Sequence, residues 1–304
     1  MALADITKTE LYSKIVDRRS FVTGIGIAGI GAAAVGLAGC GGGSSMMSAM
    51  AQAASADTAQ NIFTAALIAE DLAITMYYNA LIGGVIQDPN LAGSGGTATT
   101  VTASGSVANV GYLRGALAEE VSHAALLRSV LNISASTSDP VQTFYFPTGT
   151  FDNLTNFFPI LIALETAFIG AYMTAVQEFS LMIGNVSPYT STQMSATGQA
   201  YTATQLASFA KISAAILGVE AEHRTLARAI PPPPTFNGVS VFPSDNLCYE
   251  STDTLQSVYT GMNSAAAALQ PFLTQGSGTT AFSFQTALTK AASVQVACTG
   301  MPPM

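Results

Sequence analysis

The chain has 304 residues, of which 49% are hydrophobic and 9% charged, with 10 Lys and Arg against 18 Asp and Glu and a net charge of −8. That length supports one large or two modest domains with a full core. The acidic balance, with no basic run, excludes a nucleic-acid-binding surface.

In chain order, the first segment is a leader. Arg18-Arg19-Ser20-Phe21-Val22, followed by an apolar stretch from Gly24 to Gly39, resembles a twin-arginine export signal, and Leu37-Ala38-Gly39-Cys40 resembles a bacterial lipobox. Asp17, Val22 and Thr23 depart from the usual twin-arginine pattern. The resemblance implies a signal peptide over 1–39, lipidation of Cys40, and a protein held to the membrane in the bacterial envelope or periplasm. The Ala/Ser/Met-rich stretch over 40–56 reads as a flexible tether.

Four apolar segments follow, over 57–82, 107–132, 154–183 and 203–229. They are rich in Ala, Leu and Ile, of helical length, and free of interior proline except Pro159. Proline is tolerated in a first turn, where its missing N–H would be unpaired anyway, and this leaves the third helix's start open between 154 and 158. Gly/Ser/Thr/Asn/Pro stretches separate the segments, the middle one over 133–153 long enough to cross the length of a bundle.

The chemistry lies in these helices. The chain has two histidines, and each follows a glutamate by three residues: Glu120 and His123, Glu220 and His223. Positions three apart share a helical face, so each pair aims a carboxylate and an imidazole at one point. The match extends to E-x-x-H-x-x-L-x-R in both copies, 100 residues apart. Upstream, Glu70 and Glu165 sit alone in apolar runs, each followed seven residues later by a tyrosine, Tyr77 and Tyr172. The chain therefore reads as two helix-pair repeats. A lone carboxylate in such an apolar run is costly to bury unless paired or bound to metal.

This arrangement resembles the ferritin-like superfamily of di-iron and di-manganese carboxylate four-helix bundles over about residues 57–230. In style the chain resembles exported ferritin-like or desiccation-related proteins. The resemblance implies an all-α, ferritin-like four-helix bundle with a long crossover. It implies Glu70 and Glu165 as terminal ligands, Glu120 and Glu220 as bridges, and His123 and His223 as nitrogen ligands to two iron or two manganese ions. Four carboxylates and two imidazoles suit those metals better than thiolate-loving ones. Tyr77 and Tyr172 are candidates for hydrogen-bond donors behind the ligands, for carriers of an oxidising equivalent, or for plain core packing. Glu119 and Glu222 point some 100° from the ligands, toward solvent or salt bridges. Arg128 and Arg228 read as charges at helix ends.

Pro231-Pro-Pro-Pro234 ends the fourth helix and opens a C-terminal extension over 231–304, with helical stretches expected near 252–274 and 281–297. With Cys40 assigned to lipid, Cys248 and Cys298 remain as an even pair in an oxidising compartment and are expected to form a disulfide, buried free thiols being the alternative. The functional expectation is an exported di-metal oxidoreductase acting on hydrogen peroxide or dioxygen, of catalase, peroxidase or ferroxidase type. A non-catalytic envelope protein for desiccation protection or metal storage is the other reading. Oligomeric state has no signature in the sequence.

Overall fold

The protein is described from a computed structural model, which covers residues 57–87, 107–134, 136–189, 200–229, 255, 257–261 and 263–291. The expected leader over 1–39, the expected tether over 40–56, Cys40, Cys248 and Cys298 lie outside the described residues.

Four long helices make the body: α1 (Ala59–Ile82), α2 (Val107–Val130), α3 (Leu154–Ile183) and α4 (Ala203–Ala229). They pack chiefly as α1 on α2 and α3 on α4, with the two pairs meeting through α1–α3 and α2–α4 contacts. Local chemistry sets their starts. Thr58 Oγ1 accepts from the Asn61 N–H at 3.0 Å ahead of α1, and Asn153 Oδ1 accepts from the Asn156 N–H at 3.0 Å ahead of α3. At α4, Thr202 and Gln205 form a reciprocal capping box, each side chain taking the other's backbone N–H, at 2.9 and 3.2 Å. The Asn153 cap fixes the start of α3 at Leu154, and Pro159 is accommodated within its first two turns. After α3, Asn185 adopts a left-handed φ of 52°, and the N–H groups of Asn185 and Val186 close back onto Met182 and Leu181.

By length and composition α1 and α3 are apolar enough to cross a bilayer. In α1, 83% of the most apolar window is buried inside the protein, so there the apolarity serves the core. That burial has a further source in the C-terminal segment, which holds α5 (Ala265–Leu273), β2 (Thr279–Ser283) and α6 (Phe284–Ala291), and α6 packs on α1. Strand β1 (Thr143–Pro147) pairs antiparallel with β2, Phe144 opposite Phe282.

Two expectations need correction here. The 133–153 crossover holds a strand, so the fold is mostly helical with a two-stranded sheet. Within the described residues the helices of the extension begin later than expected, at Ala265 and Phe284, the second because Thr279–Ser283 pairs as β2. A phenylalanine cluster drives this: the Phe146 ring lies 5.1 Å from Phe151 and 5.5 Å from Phe272, and Phe151 lies 5.0 Å from Phe282. Such pairs add to the area they bury.

Within the extension, the 257–261 segment is clasped by two buried carboxylates. Asp57 accepts from the N–H groups of Tyr259 and Thr260, at 2.6 and 2.8 Å, and from the Thr260 hydroxyl. Glu178 of α3 accepts from the Tyr189 hydroxyl at 2.5 Å and from the Val258 N–H at 3.3 Å. Burial pushes the Glu178 carboxyl up to about 8, with the neighbouring Asp57 adding to the effect and the Tyr189 and Val258 bonds opposing it.

Candidate metal centre

Each of the four long helices carries its embedded glutamate to the bundle interior. Glu70, Glu120, Glu165 and Glu220 are between 0 and 2% exposed, and His123 and His223 are buried beside them. All six residues singled out in the sequence come together. They form two overlapping groups, Glu70, Glu120, His123 and Glu220, and Glu120, Glu165, Glu220 and His223, with ligand atoms in each within 4.8 Å of one another. Glu120 and Glu220 belong to both.

Both imidazoles turn the same nitrogen inward. His123 Nδ1 lies 3.3 Å from Glu70 and Glu120 and 3.4 Å from Glu220. His223 Nδ1 lies 3.0 Å from Glu120, 3.5 Å from Glu220 and 4.0 Å from Glu165. The other nitrogen of His223, Nε2, is 2.7 Å from Glu119. A proton on Nε2 held by Glu119 leaves the Nδ1 lone pair facing the carboxylates, the tautomer a metal ligand needs.

Glu119 is therefore more than a solvated side chain, although it is 40% exposed. Helical spacing puts it about 100° from Glu120, which is where α4 presents His223 across the bundle. At the 100-residue offset Glu119 corresponds to Val219, so the second copy of the repeat carries no carboxylate at that position. Glu222 is exposed, as expected. Arg128 pairs with Asp139 and donates to the carbonyls of Ser134 and Thr137, both at 2.7 Å, so it secures the turn after α2.

The tyrosines bond across the repeats. Tyr77 of α1 donates to Glu165 of α3 at 2.5 Å, and Tyr172 of α3 donates to Glu70 of α1. Each is fully or almost fully buried, so the core-packing and donor roles coincide. Burial and the adjacent glutamates hold both phenols well above their ordinary pKa, which keeps them as donors. Tyr112, which the sequence did not single out, donates to the His223 carbonyl at 2.8 Å and stands 3.4 Å from the Tyr77 hydroxyl.

Without a cation the cluster is electrostatically loaded. Burial, then repulsion from neighbouring carboxylates, pushes Glu70 and Glu165 well above the usual carboxylate range. Burial works the same way on Glu120, but hydrogen bonds with Glu70, His123 and His223 outweigh it and hold Glu120 below that range. Burial acts to lower both histidines, and the surrounding carboxylates override it and raise them. Protons are thus retained where cationic charge is needed. Several inward oxygens, Glu165 Oε2 and both Glu220 oxygens, are buried with no hydrogen-bond partner. Buried lone pairs without donors are expensive, and a bound cation removes that cost. The donor set fits a hard or borderline divalent metal.

Beside Glu70, Asp71 is also buried with both carboxylate oxygens unpartnered, and burial pushes it up to about 8 against the pull of Arg128. It stands about 100° from Glu70 on the helical wheel and belongs to neither ligand group.

Fold and site together define a mostly helical protein with a buried carboxylate–histidine cluster able to hold metal, compatible with a ferritin-like fold. Comparison with protein-family models, with curated proteins and with solved structures returned no match.

Proposed function

We propose that the six residues hold two iron or two manganese ions, with Glu120 and Glu220 bridging, Glu70 and Glu165 terminal, and one histidine on each ion. The observation that carries this reading is the pair of four-ligand groups sharing Glu120 and Glu220. When bound, such a pair supplies a redox couple for chemistry on hydrogen peroxide or dioxygen, of catalase, peroxidase or ferroxidase type.

The chain's own residues prepare that chemistry. Tyr77 and Tyr172 orient the terminal carboxylates and keep a proton on each phenol oxygen within reach of them. Glu119 fixes the His223 tautomer, and Tyr112 ties the His223 backbone to α2. The aliphatic core around the cluster limits water and strengthens the electrostatics within it. We assign this activity to the cell envelope, with residues 1–39 as leader and a lipid on Cys40 as anchor, on the strength of the leader motifs.

The test is metal content, by mass spectrometry, of protein exported by its native host, with Glu120→Ala and His223→Ala alongside. Near two iron or manganese per chain, lost in both variants, is the expected result. Manganese then selects a peroxide disproportionation assay and iron a ferroxidase or peroxidase assay. Metal-free native protein refutes the proposal. Mass spectrometry of the native amino-terminus, with Cys40→Ala as control, checks the anchor.

A further inference from the structure

The two halves of the cluster are not alike. Besides its inward nitrogen, His223 is held by Glu119 at Nε2 (2.7 Å), by the Tyr112 hydroxyl at its backbone carbonyl (2.8 Å), and by the Tyr77 ring, which packs edge-to-face on the imidazole with centroids 5.8 Å apart. Turning the ring, or moving its proton to Nδ1, breaks these contacts. Among the described residues the polar contacts of the His123 side chain all run through Nδ1, to Glu70, Glu120 and Glu220 at 3.3–3.4 Å.

The repeat accounts for the difference. At the 100-residue offset Glu119 is matched by Val219 and Tyr112 by Ile212, neither of which has a polar side-chain atom. The terminal carboxylates do not break the symmetry, since each accepts from one tyrosine hydroxyl. Exposure divides the cluster in the same sense: the His123 side chain is 11% exposed and that of His223 1%.

We propose that the two metal positions are inequivalent: the half built on Glu165 and His223 fills first and holds its ion more tightly, and the half built on Glu70 and His123, on the more exposed side, fills last and empties first. The inference rests on the metal-centre reading. An imidazole already fixed in orientation and tautomer loses little freedom on binding, and the Glu119 carboxylate on Nε2–H raises the basicity of Nδ1. Outer partners of this kind typically change metal affinity about 10- to 100-fold. A chain short of metal therefore carries one ion, at the His223 half, instead of an even mixture of two one-ion forms.

The test is titration of manganous ion into metal-free full-length protein, followed by calorimetry and by electron paramagnetic resonance, in which an isolated ion keeps its hyperfine lines and two bridged ions broaden them by exchange. Repulsion between two ions separates the binding steps even in a symmetric centre, so the variants decide. The ion retained by His123→Ala should bind about ten- to a hundredfold more tightly than the ion retained by His223→Ala. Glu119→Ala should weaken the first step at least about tenfold in the wild-type background and less than about twofold in the His223→Ala background, whereas Glu119→Gln, whose amide oxygen still accepts from Nε2, should cost less than about threefold. At about one ion per chain the wild-type spectrum should be that of isolated ions. Equal affinities in the two histidine variants, the reverse order, or a Glu119→Ala effect that persists without His223 overturns the inference and leaves the metal centre standing. Should either histidine variant fail to fold by circular dichroism, Glu119→Ala against Glu119→Gln decides, and equal first-step losses, or none, overturn it. Wild type that takes up neither manganese nor ferrous iron refutes the metal centre, and this inference with it.

Discussion

Replacing Tyr77 with phenylalanine removes one oxygen and almost no volume, so the core around it stays filled. What is lost is the donor to Glu165 Oε1 at 2.5 Å. The other oxygen, Oε2, is already buried without a partner, so the carboxyl is left with no donor at all. A buried hydrogen bond to a charged acceptor contributes about 1.5–3 kcal/mol, and to a neutral one about 0.5–1.5 kcal/mol. Because Glu165 is raised well above the usual carboxylate range, it sits between these cases at neutral pH, and a loss of about 1–2 kcal/mol follows for the metal-free protein. With a typical urea dependence that moves the midpoint by roughly 0.5–1 M. In metal-loaded protein the ion supplies the missing partner, and the loss should shrink below about 1 kcal/mol. The assay is urea denaturation of wild type and Tyr77→Phe with and without manganese. By the crossed geometry of the two repeats, Tyr172→Phe should behave alike through Glu70. A Tyr77→Phe loss that is negligible in metal-free protein, or unchanged by metal, refutes the reasoning.

Glu119→Ala should lower manganese or ferrous iron affinity ten- to a hundredfold through the His223 tautomer, whereas Glu222→Ala should be silent; metal titration compares them. Metal must displace the protons that Glu70, Glu165 and the histidines retain, so affinity should rise with pH, and calorimetry in buffers of different ionisation enthalpy should detect proton release. Glu178 binds its proton more tightly folded than unfolded, so its contribution is full below about 4.5 and lost as pH rises toward about 8. Glu178→Gln should therefore gain stability relative to wild type across that window, read from denaturation curves at pH 5 and pH 8. Asp57→Ala should free the Tyr259 and Thr260 amides, measured as faster hydrogen exchange at those two positions.

The repeat made the candidate site legible. Glutamates embedded in apolar helical runs, and two copies of E-x-x-H at a constant offset, specify a shared interior face, because helical spacing is local geometry. Caps at Thr58, Asn153 and Thr202 are likewise local, which is why the boundaries of the long helices could be read within a few residues. The strand over 143–147 was harder. Phe144 and Phe146 alternate with half-buried residues, but so short a run becomes a strand only when a partner, here 279–283, lies alongside.

The remaining features depend on which helix faces which, a long-range property. Nothing near Glu119 in sequence reveals His223, 104 residues away, and nothing near Tyr77 selects Glu165 rather than Glu70. Nor does the sequence around Asp57 announce the amides it holds some two hundred residues later. By itself the sequence determined the helical register, the donor types and their pairing by repeat, because periodicity and residue chemistry are carried along the chain. Only the tertiary structure decided the crossed tyrosine bonds and the Glu119 contact, because each forms where side chains from distant segments are packed together and must satisfy one another's buried polar atoms.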